Sequence, residues 1–162
     1  MAPFVSVALA WIGLALMLRI AWLDFQTMRI RNSDVIVLLG VALSLWASLT
    51  GARDFWDLAA GGLLFVLGFT FWYFRLMGGG DAKLFLPLGI LVGWNGLAVF
   101  GLMLLPASIA SLMLLRAFRT YLPLTSVLAI RAHEIASQRG MPYAVPLLLA
   151  SVPAMIPRLG IG

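Results

Sequence analysis

The chain has 162 residues, 63% of them hydrophobic and 10% charged, with a mean hydropathy of +1.06. A soluble domain of this length cannot hide so much apolar surface, so lipid must be the main solvent. The formal net charge of +5 comes from basic residues in short loops, which reads as a membrane-orientation signal and excludes a nucleic-acid surface.

Cysteine is absent and His133 is the single histidine, which excludes disulfides, thiolate metal sites and multi-histidine metal sites. No metal and no cofactor are expected. The apolar runs are continuous, whereas a membrane barrel would show alternating segments of about ten residues. The expected fold is therefore an all-α polytopic integral membrane protein, a single domain over 1–162 with six spanning helices.

Residues 3–23 form the first predicted span, about 31 Å long against a hydrocarbon core of roughly 30 Å. It lacks a positive leading region, and Ala8-Leu9-Ala10 lies inside the apolar run, so it is expected to stay as an anchor. Arg19, near its end, can snorkel to the headgroups. A polar loop follows from Asp24, with Asn32 or Ser33 as the expected N-cap of the next helix and Asp34 in its first turn. The second span covers 35–50 and is closed by Gly51. The third covers 55–74, with Gly61, Gly62 and Gly68 offering close helix contacts. Asp54 and Asp57 at its start read as surface charges that complement the helix dipole.

Next comes Arg75-Leu76-Met77-Gly78-Gly79-Gly80-Asp81, a glycine turn that delivers a carboxylate between two apolar runs. The following stretch is too long for one crossing and too short for two full ones, so it divides at the turn signal Trp94-Asn95-Gly96. That gives a fourth helix over 81–94, only about 21 Å long, and a fifth over 97–115. One end of the fourth is then recessed in the bilayer; a recessed glycine end would put Asp81 in the membrane margin. Residues 116–140 do not span, and Ser126–Gln138 is expected to lie as an interfacial helix. Pro142-Tyr143-Ala144-Val145-Pro146 opens the sixth span, 143–156, which Pro153 is expected to kink.

Six crossings place Arg19, Arg29, Arg31, Arg75, Lys83, Arg116, Arg119, Arg131 and Arg139 on one face, with only Arg53 and Arg158 opposite. The positive-inside rule makes the richer face cytoplasmic and puts both termini outside. No internal repeat is visible.

An ionisable group at the membrane is a functional-site hypothesis by default. Asp24 ends the first helix and Asp81 begins the fourth. Two crossings separate them, so both face the cytoplasm. Each alone fits a helix end. Together they fit chemistry: two carboxylates sharing a site do not both ionise easily, which leaves one as base and one as acid. The glycines let backbone approach an extended substrate. Lys83 lies about 200° round a helix from Asp81, so it is not expected to pair with it and also reads as a snorkelling lysine. His133-Glu134 is no zinc motif, because residue 137 is serine.

Gly78-Gly79-Gly80-Asp81-Ala82-Lys83-Leu84 resembles the GxGD-x-K-L signature of prepilin peptidases, the membrane aspartyl proteases that process type IV pilin precursors. Asp24 with the downstream Ile30-Arg31-Asn32 resembles that family's first aspartate and its Ile-Pro-Asn; Pro142 to Pro146 resembles its element before the last helix. Arg31 stands where a proline is usual, and Ala144 where a glycine is usual. The resemblance implies a GxGD-protease-like bundle in a bacterial inner membrane. Asp24 and Asp81 would be catalytic, Gly78, Gly80, Lys83 and Asn32 supporting, and Pro142 and Tyr143 a substrate-side loop. The implied substrate is a membrane-anchored prepilin, cut after the glycine that ends its short basic leader at the cytoplasmic face. Pilus assembly machinery is a further implied partner.

The chain opens directly on its first apolar run and has no cysteine, so a peptidase-only form without an N-methylating segment is expected. It is most similar to the CpaA/TadV-like enzymes of Flp-type (Tad) pilus systems. Archaeal preflagellin peptidases share the dyad and the helix number and stay open. A presenilin-type protease fits less well because the chain lacks further spans. The rival of another class is a non-enzymatic transporter or pilus-assembly scaffold. A transporter would more typically hold its charges at the midplane and show paired halves.

Overall fold

The computed structural model describes residues 2–49, 55–121 and 143–160, with side chains over 4–49, 55–117 and 143–160. Among them are six α-helices and no strand: α1 (Ala2–Thr27), α2 (Asn32–Ser48), α3 (Phe55–Tyr73), α4 (Gly79–Val92), α5 (Leu97–Tyr121) and α6 (Ala144–Met155). Short 3₁₀ turns cover Trp94–Gly96 and Ile156–Arg158. Three stretches, Phe4–Thr27, Phe55–Tyr73 and Trp94–Ala117, are long and apolar enough to cross a membrane, and α2 and α6 are shorter apolar helices. The all-α membrane class follows from continuous hydrophobicity, because helices satisfy their own backbone groups in lipid.

The bundle is built around the short helix α4. Every residue from Leu84 to Val92 except Leu86 is buried, as expected of a helix apolar on all sides. It packs against α2, α3 and α6 and more lightly against α5, and its contact with α3 is the most extensive in the bundle. α1 completes the core by packing on α2 and α6.

Two glycine positions explain how close α3 and α4 come. A Cβ on Gly89 would stand 2.6 Å from the Ala60 carbonyl oxygen and 2.6 Å from the Gly61 Cα. Opposite, Gly68 accepts the Phe85 ring and the Ala82 carbonyl where a side chain would otherwise be. Small residues let backbones approach in this way, and packing replaces the hydrophobic drive that lipid cannot supply. Gly62 differs from its expected role, since nothing lies within 4 Å of the place its Cβ would occupy.

Several boundaries depart from the sequence reading. α1 runs on to Thr27, so Asp24 lies in its last turn rather than in the loop after it. α5 continues to Tyr121. The N-cap of α2 is Arg31, with no side-chain cap bond, and Asn32 is the first helical residue; Asn32 uses its side chain elsewhere. Pro87 and Pro106 sit inside α4 and α5.

Asp57 is the clearest correction. It is not a surface charge but 5% exposed, with Oδ2 2.5 Å from the Arg158 guanidinium and Oδ1 accepting the Trp94 N–H at 2.9 Å. An acid in a first turn looks the same in sequence whether it faces water or a half-buried arginine from the other end of the chain. The interfacial helix expected over Ser126–Gln138 lies outside the described residues, as do Gly51, Arg53, Asp54, Arg131, His133, Glu134, Arg139 and Pro142.

The α3–α4 contact yields a direct expectation. Gly89→Ala forces backbone against backbone, which side-chain repacking cannot relieve, and should destabilise the protein by about 1–3 kcal/mol. Gly62→Ala, facing open space, should leave stability unchanged within about 0.5 kcal/mol. Thermal unfolding of both variants in detergent measures the contrast.

Candidate active site

Two helix ends and one helix start converge at one end of the bundle. α1 stops after Thr27, where Met28 takes a left-handed conformation with φ 52 and donates its N–H to the Asp24 carbonyl at 2.8 Å. α3 stops at a Schellman-type turn. Arg75 sits at φ 58, its N–H reaches the Trp72 carbonyl at 2.9 Å, and the Leu76 N–H reaches Phe71 at 2.9 Å. Glycine usually fills such left-handed positions, and other residues there cost about 1–2 kcal/mol. Both strained stops border the segments that carry the aspartates.

α4 starts from an extended Gly78 at its N-cap, which makes Asp81 the third helical residue. From there the carboxylate folds back over the helix start and meets the backbone N–H groups of Gly78 and of Asp81 itself. This is the backward half of a capping box, and it answers donors that the first turn leaves unpaired. A Cβ on Gly78 would lie 2.7 Å from Asp81 Oδ2, so the carboxylate occupies the space that glycine leaves empty. Gly80 is similarly hemmed in: its Cβ would meet Ile30 at 3.2 Å, which seats the α1–α2 loop on the start of α4.

Asp24 and Asp81 are 4% and 8% exposed, and Asp24 is near enough for its charge to act on Asp81. The Ala144 N–H, at the start of α6, donates to Asp24 Oδ2 at 3.3 Å. Each carboxylate is thus held by backbone donors of a helix start, Asp81 by its own helix and Asp24 by another. Tyr143, half-buried at the N-cap of α6, is the described part of the proposed substrate-side loop and adjoins Asp24 through this peptide.

Lys83 and Asn32 also meet, with Nζ donating to Asn32 Oδ1 at 3.0 Å. This bond joins the first turn of α2 to α4. Nearby, Arg19 pairs with Asp34 at 2.7 Å, a tie between α1 and α2. An open cleft of about 550 Å³ lined by Thr27, Met28, Arg29 and Arg31 lies beside the end of α1. No cluster of three or more His, Cys, Asp or Glu suited to a metal forms among the described residues. The Ala144 amide had no signal in the sequence, because a backbone donor carries no residue-type mark.

The model of the type IV leader peptidase family matches residues 11–118, a stretch that includes Asp24, Asn32, Gly78, Gly80, Asp81 and Lys83. No curated protein and no solved structure matches.

The dependence of Asp81 on Gly78 is measurable by a double-mutant cycle. Gly78→Ala should cost about 1–2 kcal/mol in detergent unfolding while Asp81 is present. In an Asp81→Ala background most of that cost should vanish, a coupling of about 1 kcal/mol.

Proposed function

The chain belongs to the type IV leader peptidase family, and we propose that it is an aspartyl endopeptidase that cuts prepilin leaders with Asp24 and Asp81. One observation carries this reading: two buried carboxylates from different helices stand together at one end of the bundle. Two carboxylates sharing a site do not both ionise easily, so the proposed reaction starts from one proton held between them.

In the proposed reaction the ionised aspartate takes a proton from water as the water oxygen bonds to the scissile carbonyl carbon. The protonated aspartate gives its proton to the carbonyl oxygen. The gem-diol intermediate then collapses: the C–N bond breaks, the departing amine takes the proton gained from water, and one diol hydroxyl returns its proton to the aspartate that had protonated the carbonyl oxygen, which restores the starting pair. Products are a leader ending in a carboxyl group and a pilin with a free amino terminus, with no covalent enzyme intermediate. The Ala144 N–H orients Asp24, and the Gly78 N–H orients Asp81. Lys83 and Asn32 act as positioning residues, since their bond braces the helix that follows the Asp24 loop against the helix that carries Asp81.

The basic-residue count supports a cytoplasmic site in a bacterial inner membrane with both termini outside. A Flp-type prepilin with a short basic leader is the proposed substrate, with the pilus machinery as downstream partner. The whole chain forms one membrane peptidase domain.

Co-expression with a leader-bearing prepilin, followed by immunoblotting for the shorter product, tests the assignment. Asp24→Asn and Asp81→Asn should each reduce processing by about 10³-fold or more. Processing that survives both substitutions would leave a non-enzymatic membrane component as the better reading. Lys83→Met and Asn32→Ala should each slow processing by about tenfold. Combined, they should do no more than either alone, because one shared bond is lost.

A further inference from the structure

Far from the aspartates, the structure holds a second buried charged cluster that the proposed chemistry does not use. Asp57, at the start of α3, pairs with Arg158, in the 3₁₀ turn that extends α6. Arg158 also donates through its other terminal nitrogen to the Ile90 carbonyl in the last turn of α4, at 2.9 Å. Asp57 accepts the Trp94 N–H just beyond that helix. Gly93, at φ 72, leaves room for the guanidinium, because a Cβ there would overlap it.

This arrangement answers a specific need. The end of α4 lies among buried residues, and its last carbonyls and the next N–H have no helical partners. A cation suits a helix C-terminus, and charges inside membrane proteins pair with each other or with backbone carbonyls.

α4 and α6 both start at the aspartate end and both finish at this cluster. α4 begins with Asp81; α6 begins with the Ala144 N–H that holds Asp24. About 14 Å of helix separates Asp81 from Ile90. The two helices pack against each other, and the cluster is a polar tie between their far ends. Their relative register sets how the two carboxylates face each other.

We propose that Asp57 and Arg158 are positioning residues: a clamp that locks α4 and α6 in register and so fixes Asp81 relative to Asp24. Its effect on cleavage rests on the peptidase reading above; its effect on α6 does not.

The test combines hydrogen exchange of the full chain in detergent with the processing assay, on Arg158→Met, Arg158→Lys and Asp57→Asn. Arg158→Met should raise exchange within residues 144–147, read at the hydrogen-bonded amides of Ala144 and Leu147, by about tenfold and slow processing by about tenfold. Arg158→Lys, which keeps the charge but lacks the planar fork that reaches both Asp57 and the Ile90 carbonyl, should fall between Arg158→Met and the parent in both readouts. Asp57→Asn should raise exchange at 144–147 as well.

A purely local role would raise exchange only around residues 156–160 and leave 144–147 unchanged, which overturns the proposal. Unchanged exchange and processing in Arg158→Met overturn it too, as does lost processing with normal exchange at 144–147. If Arg158→Met does not accumulate in membranes, Asp57→Asn decides, and normal exchange at 144–147 in that variant rejects the clamp. A parent chain that processes no leader-bearing substrate rejects the peptidase reading instead, and the exchange result still judges the clamp.

Discussion

A helix that ends inside an apolar bundle must find partners for the backbone groups its last turns leave open, and α4 does this at both ends with ionisable side chains. At about 21 Å it is shorter than a hydrocarbon core of roughly 30 Å, so water does not serve both ends freely. Its start is closed by its own Asp81, its finish by Arg158 and, just past it, Asp57. Three of the few charged residues in the chain are therefore committed to stopping one helix. The glycines follow from that: Gly78 and Gly93 stand where a side chain would displace the terminating group.

Terminating a helix and doing chemistry are compatible roles for Asp81. The backbone donors that cap the helix also hold the carboxylate in one orientation, which a reacting group needs before substrate arrives. Asp24 is held by the same device applied between helices, through the first amide of α6. Helices α1 and α3 are ended by Met28 and Arg75 in left-handed backbone, and backbone strain of this kind gathers at functional segments. Rigid helix starts beside strained stops give a site whose carboxylates are fixed and whose surrounding loops are not regular structure.

Much of the site was legible in particular residues. Parity of crossings put Asp24 and Asp81 at one end, and the structure brings them within electrostatic reach. The glycine turn was visible as a place where backbone needs room. Lys83 was rightly separated from Asp81, yet its actual partner, Asn32, was hidden because the two lie 51 positions apart. Asp57 was misread because helix-start acids look alike until depth is known, and its arginine lies 101 positions away.

By itself the sequence determined the helical membrane class and the shared end of the bundle for Asp24 and Asp81, because these depend on hydropathy and counting along the chain. Tertiary structure alone decided which charges pair, where α4 stops and which amide holds Asp24. Those outcomes depend on distances between segments remote in sequence, and on whether burial leaves a polar group with no partner but one particular neighbour.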